Sequence, residues 1–270
     1  MEVRAPHGQV SPWAGRTRGA TGAGTRKTAP RVLDRILLAA TILAVVGAAI
    51  WFVPGAVDGM RLQALAEETS TVPDGTSGRD WAALRAENPA CVAWLTVEGT
   101  PIDYTVLQAS ADDPDFWLSH NFWGGWSRVG SLVVDADTSA TASHTMVYGH
   151  HMGPGEAFTP LYRAWDPHVL SGLSTVVLDT PERGPETFRV LFSFRCDKAD
   201  GEVQRFDFSG SPEGTVELRR WCTSLGERAE AEAEGWRGDA EATGKVLTLV
   251  TCSSDWAGQR GRTVVVCARV

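Results

Sequence analysis

The chain has 270 residues, 43% of them apolar and 21% charged, which fits one globular domain with appendages rather than a disordered polymer. Its formal charge is -8, yet the first 35 residues carry Arg4, Arg16, Arg18, Arg26, Lys27, Arg31 and Arg35 against only Glu2 and Asp34. The remainder is therefore clearly acidic, which argues against a nucleic-acid-binding surface on the folded part.

Residues 1–35 read as a basic tail. The stretch to about residue 30 is rich in Gly, Thr, Arg, Pro and Ala without periodicity, the signature of disorder. Residues 36–57 contain no charge, and as a helix they would span roughly 33 Å, enough for a bilayer core. Basic residues precede this segment and Asp58 follows it, so the positive-inside rule puts the N-terminus in the cytoplasm and the rest outside. A cleaved signal peptide would have a shorter apolar region and an Ala-x-Ala site, and a buried core helix would show a polar stripe. A single-pass anchor held in membrane lipid through residues 36–57 is the expectation.

Residues 58–78 are expected to link anchor and domain, with a short helical pattern over 60–68 and a turn-rich stretch over 69–78. The folded domain is expected over 79–270. Asp80 is a candidate cap for a helix through Trp81, Leu84 and Arg85 that Asn88-Pro89 ends. Strand-like runs follow at 92–97, 102–107, 131–135, 145–148, 174–178, 187–194, 246–251 and 263–270. Helical turns are expected at 113–119 and 157–162, and a helical segment at 215–235. Eight short strands separated by turn signals, with few long helices, predict a mainly β protein closed or nearly closed into a barrel.

Five cysteines are present, and none has the CxxC or Cys/His spacing of a zinc site. Cys91 and Cys267 lie in apolar runs and read as buried. Cys196 and Cys222 flank a polar excursion and are candidates for a disulfide outside the membrane. Cys252 differs: it ends the strand-like run Thr248-Leu249-Val250-Thr251-Cys252, and Arg262 opens the next run, Thr263-Val264-Val265-Val266. A hairpin would bring thiol and guanidinium to one sheet edge, where the thiol can attack a carbonyl and the guanidinium can stabilise the resulting oxyanion. Such a nucleophile needs a titratable partner. Of six histidines, His150 and His151 follow the apolar run Thr145-Met146-Val147-Tyr148-Gly149, so a strand would fix them near an exposed end. Strand alternation sends these two neighbours to opposite sides. His150 is the expected acid/base, with His151 facing solvent on the other side.

Together these segments resemble class B sortases, the cysteine transpeptidases of Gram-positive bacteria. Tyr148-Gly149-His150-His151-Met152 is similar to their histidine motif Tyr-Gly-His-Asn-Met, Thr248 to Cys252 to their TLxTC motif, and Arg262 to their arginine. Asn88-Pro89 through Trp94-Leu95, Gly99 to Gln108, Leu118 to Phe122 and Gly130 to Asp135 continue the resemblance, which covers roughly residues 79–270. It implies an eight-stranded sortase-type barrel with helices at its N-terminus and between strands. It also implies a membrane-bound enzyme at the cell wall, with Cys252, His150 and Arg262 catalytic and no metal or cofactor. Asn121, Thr251 and Ser253 are the candidate substrate contacts. The implied partners are secreted proteins with a C-terminal sorting motif and an accepting amine of a cell-wall precursor or a pilin. His151 stands where asparagine is usual, Val250 where serine is common, and Ser253 where an acidic residue often follows the cysteine; Asp112-Asp113-Pro114-Asp115 replaces an Asp-Asn pair. Two other readings compete. A papain-type hydrolase would carry its cysteine early and on a helix, and a non-catalytic membrane-anchored module would have no need of Cys252, His150 and Arg262.

Overall fold

The computed structural model describes residues 29–70, 78–152, 156–253 and 260–270. The expected tail lies outside it except for residues 29–35, and so do most of the 69–78 stretch and residues 254–259. Residues 29–35 are helical. They open α1 (Ala29–Glu68), a single 40-residue helix that contains the apolar segment and runs on through residues 58–68. Among the described residues α1 alone is long and apolar enough to cross a membrane. Its side chains from Ile36 to Val46 lie bare, with Leu43 72% exposed.

The stretch expected as the start of a linker is therefore helix, and it packs. Leu62, Leu65 and Ala66 lie against a cluster of Leu84, Cys91, Trp94, Leu107 and Phe122. The Arg61 guanidinium sits 3.9 Å over the Trp123 ring, and Asp58 accepts a hydrogen bond from Asn121 Nδ2 at 3.0 Å. Next comes α2 (Trp81–Glu87), whose first turn is capped by the Asp80 carboxylate accepting from the Ala83 N–H.

The barrel strands are β1 (Cys91–Val97), β2 (Asp103–Gln108), β3 (Leu132–Val134), β4 (His144–Tyr148), β5 (Thr175–Thr180), β6 (Gly184–Asp197), β8 (Val246–Cys252) and β9 (Gly261–Arg269). They run in the order β5-β1-β2-β3-β4-β8-β9-β6, and β6 pairs back onto β5 to close the ring. The expected eight-stranded barrel is present. A two-residue β7 (Ala231–Glu232) adds itself to the free side of β6. The pairs β2–β3 and β4–β8 are parallel and the other ladders antiparallel.

Period-2 alternation decides which side of the wall each residue occupies. Along β8, Leu247 and Leu249 point inward to join Leu95, Val106, Val147 and Val265. Val246 and Val250 point outward, beneath Leu218, Trp221, Cys222 and Leu225 of α4 (Pro212–Gly226). On β6 a bulge between Val190 and Phe192 interrupts this alternation. Phe188 and Val190 belong to the inner cluster, Phe192 and Phe194 to the outer one.

The helical segment expected at 215–235 is shorter. α4 begins at the Ser211 cap and stops at Gly226, where the Trp236 ring packs so closely that an added β-carbon would lie 2.0 Å from it. Trp236 opens α5 (Trp236–Ala242), which was not expected; neither was the four-residue α3 (Pro167–Leu170), capped by Asp166. The turns expected at 113–119 and 157–162 are short 3-10 turns at Phe116–Ser119 and Thr159–Leu161. All five cysteines are free thiols, so Cys196 and Cys222 are not joined: Cys222 is sealed under α4 and Cys196 faces a cleft.

The packing of residues 62–66 makes a stability prediction. A chain beginning at residue 79 loses this contact, whereas one beginning at residue 58 keeps it. Two half-buried leucines are worth about 2 kcal/mol, so the longer chain should unfold at distinctly higher denaturant. Equal midpoints in urea would mean that the 58–68 turns contribute nothing to the fold.

Candidate active site

A cleft of about 580 Å³ opens on the outer face of the wall, where the ends of β4, β8, β9 and β6 meet. Cys252 and Arg262 are directly opposite each other on β8 and β9, and Arg262 is in turn opposite Cys196 on β6. Residues opposite each other in an antiparallel ladder project to the same side, so thiol, guanidinium and a second thiol form one row along the cleft. Histidine arrives from the other flank. Tyr148 of β4 is level with Val250 of β8, and the next N–H, of Gly149, donates to the Val250 carbonyl at 3.1 Å. Gly149 is squeezed between Leu132 and Phe158, where a β-carbon would come within 2.7 Å of either side chain. That tight passage delivers His150 into the cleft with Cys252 and Arg262.

His150 Nε2 lies 2.9 Å from the carbonyl oxygen of Leu118. A carbonyl can only accept, so this bond puts the proton on Nε2 and leaves the lone pair on Nδ1. Burial lowers the His150 pKa from its ordinary value, and the Arg262 charge adds to this; the Leu118 carbonyl and the Asp115 carboxylate act in the opposite direction. The Arg262 guanidinium donates through Nη1 to the Gly261 carbonyl at 3.0 Å. At the cleft floor the Tyr148 hydroxyl donates to Asp135 at 2.8 Å and accepts from Gln204 at 3.2 Å. Burial, followed by the Asp135 charge, raises the Tyr148 pKa, so this hydroxyl stays protonated as a donor. Cys196 is pushed up to about 11, mainly by burial, and stays a thiol at neutral pH.

The remaining expected site residues are placed elsewhere. Thr251 belongs to the opposite parity from Cys252 and is buried in the wall, so it does not line the cleft. Asn121 builds a turn: its Oδ1 accepts from the N–H groups of Trp123 and Gly125 while its Nδ2 holds Asp58. It faces the crevice beside α1 instead. Ser253 sits just beyond the lining, its backbone N–H bonded to Gly261. His151 is not solvent-facing: its half-buried ring stacks on Tyr162, with centroids 3.9 Å apart and planes 18° from parallel. Sequence reasoning missed Cys196, Asp135 and Gln204. Asp135 follows a strand-like run, so its place at a strand end could have been noticed; the other two depend on the β6 bulge and the segment after it.

No family model matches the chain. Sortase B of Listeria monocytogenes is 27% identical over 187 residues, covering 67% of this chain and 70% of the relative. Among solved structures, Clostridium perfringens sortase B is 26% identical with a TM-score of 0.58, covering 70% of this chain and 98% of that one. A Staphylococcus aureus sortase B–substrate complex superimposes with a TM-score of 0.61 at 20% identity, covering 80% and 94% of the two chains. Fold and sequence together define a sortase-type cysteine transpeptidase. These relatives are sortase B proteins, and this likeness supports class B.

The environment of His150 predicts the acidic side of the pH profile. Thiolate with imidazolium and thiol with imidazole carry the same number of protons, so activity falls once a further proton is added to the pair. Because the His150 pKa is lowered, the acidic limb of kcat/KM should have its midpoint below the ordinary imidazole value of about 6.5. A midpoint above about 7 would contradict the desolvated placement of His150.

Proposed function

We propose that this chain is a membrane-anchored transpeptidase that cuts a C-terminal sorting motif of secreted proteins and joins them to an amine, with Cys252, His150 and Arg262 as its catalytic residues. One observation carries the reading: thiol, imidazole and guanidinium come from separate strand ends into one cleft. The Cys252 thiolate attacks the carbonyl of a threonine in the motif, forming a C–S bond and a tetrahedral oxyanion. Arg262 donates to that oxyanion, or holds the substrate backbone so that it forms. His150 as imidazolium gives its proton to the leaving amine as the C–N bond breaks, which leaves a thioacyl enzyme. An incoming amine then attacks the thioester, His150 takes its proton, and Cys252 departs as thiolate.

The relatives support this class of substrate. One Staphylococcus aureus sortase B structure is a substrate complex, and another sortase B is complexed with triglycine, a peptide that offers an amine. For this chain the acceptor is read as the amine of a cell-wall precursor or of a pilin lysine. α1 is read as the anchor, inserted with its basic end in the cytoplasm and the barrel outside.

The sorting motif itself is to be found by cleavage of a peptide library by a chain beginning at residue 58, followed by mass spectrometry. Against the selected peptide, Arg262→Lys should lose about 100-fold or more in kcat/KM, because an ammonium cannot reproduce the planar fork. Turnover close to that of the unaltered chain would remove Arg262 from the oxyanion role. His150→Ala should be inactive, while His151→Ala, whose ring stacks on Tyr162, should keep most of its activity. The reverse pattern would exchange the two assignments.

A further inference from the structure

We infer that Gly130 is a positioning residue of the reaction: it holds the Leu118 carbonyl against His150 Nε2 and so fixes which imidazole nitrogen faces the chemistry. The inference rests on the reading of His150 as acid and base. It starts from two observations that meet on one oxygen atom. His150 Nε2 lies 2.9 Å from the Leu118 carbonyl oxygen. Gly130 approaches the same group so closely that an added β-carbon would lie 2.2 Å from that oxygen and 2.7 Å from its carbon. Gly130 also has φ +66°, a conformation that L side chains rarely adopt.

The rest of the segment is laced to hold this approach. Leu118 ends one turn on Asp115, its N–H donating to the Asp115 carbonyl at 3.0 Å. The neighbouring carbonyls of Trp117 and Ser119 accept from the N–H groups of Ser131 and Ser127, both at 2.9 Å. The Ser131 hydroxyl donates to the His120 carbonyl at 2.9 Å. The chain from 127 to 131 is therefore a splint along the Phe116–Ser119 turn, and Gly130 is its point of closest contact. No side chain other than hydrogen fits there unless the carbonyl moves.

The consequence is chemical. With Nε2–H tied to the carbonyl, Nδ1 is the nitrogen able to exchange a proton with thiol and amine. The charged and titratable groups facing this ring are Arg262 from β9, Cys252 from β8 and Asp115 at the start of the turn. Burial and Arg262 disfavour the imidazolium, while the Leu118 carbonyl and Asp115 favour it. Displacing the carbonyl removes one of the two favourable influences and frees the ring to change tautomer.

Gly124 provides an internal control. It has φ +78° in the same loop, but an added β-carbon there meets nothing within 4 Å. Gly124→Ala thus carries the backbone strain without the contact, and Gly130→Ala carries both. The test is nitrogen NMR of the His150 ring in the full chain in detergent micelles, with kinetics alongside. The unaltered chain and Gly124→Ala should hold the Nε2–H tautomer. Gly130→Ala should give a tautomer mixture, a lower titration midpoint and kcat reduced about tenfold with KM within about twofold. An Nδ1–H tautomer in the unaltered chain would overturn the inference whether or not the Gly130 variant folds. So would a folded Gly130→Ala with unchanged tautomer and midpoint, or a Gly124→Ala that behaves like it. An Nε2–H tautomer in an unaltered chain without transpeptidase activity would instead count against the proposed function and leave the placement of the carbonyl standing.

Discussion

The antiparallel register that sets Cys252 opposite Arg262 governs everything else at this site. A slip of one residue would turn Cys252 into the barrel interior and bring Thr251 out in its place. The register is held by the burial it secures. Leu247 and Leu249 must enter the inner cluster, and Val246 and Val250 must lie under α4. Apolar packing on both sides of β8 therefore fixes the position of a polar residue at its end. The cleft inherits its geometry from a core that takes no part in the chemistry.

The same wall explains why five thiols do not compete equally. Cys91 and Cys222 are buried and pushed up to about 12, and Cys267 is raised further by complete burial. Cys196 shares the cleft, but burial holds it at about 11. It also lies one strand beyond Arg262 from Cys252. Two strand spacings of about 4.8 Å place the two thiols too far apart at the backbone for a disulfide without movement of the sheet. Cys252 stands at the strand end, half-exposed and beside the guanidinium.

Much of this was legible in the residues. The uninterrupted runs of β8 and β9, one closed by Cys252 and the other opened by Arg262, announce a hairpin with thiol and guanidinium at its mouth, and Tyr148-Gly149-His150 brings an imidazole to it. Alternation was equally available for Thr251: a residue adjacent to Cys252 in a strand must point the other way. What was hidden depends on long-range geometry. No local signal marks the β6 bulge that carries Cys196 to the cleft side. Asn121 looked like a polar residue near a functional motif, yet its amide is consumed by a turn and by Asp58, 63 positions earlier. The turns at 58–68 looked like part of a linker because they lead from the uncharged segment into the turn-rich 69–78 stretch, and only their partners Leu84 and Phe122 give them a face to bury.

The central claim is that the acyl group is carried by Cys252 and by no other thiol. Intact-mass spectrometry of the enzyme mixed with its selected sorting peptide and no acceptor amine tests this most directly, with fragmentation to locate the adduct. The account predicts one acyl adduct on Cys252 that is released by hydroxylamine and absent from Cys252→Ala. An adduct on Cys196, or peptide cleavage that persists in Cys252→Ala, would contradict it.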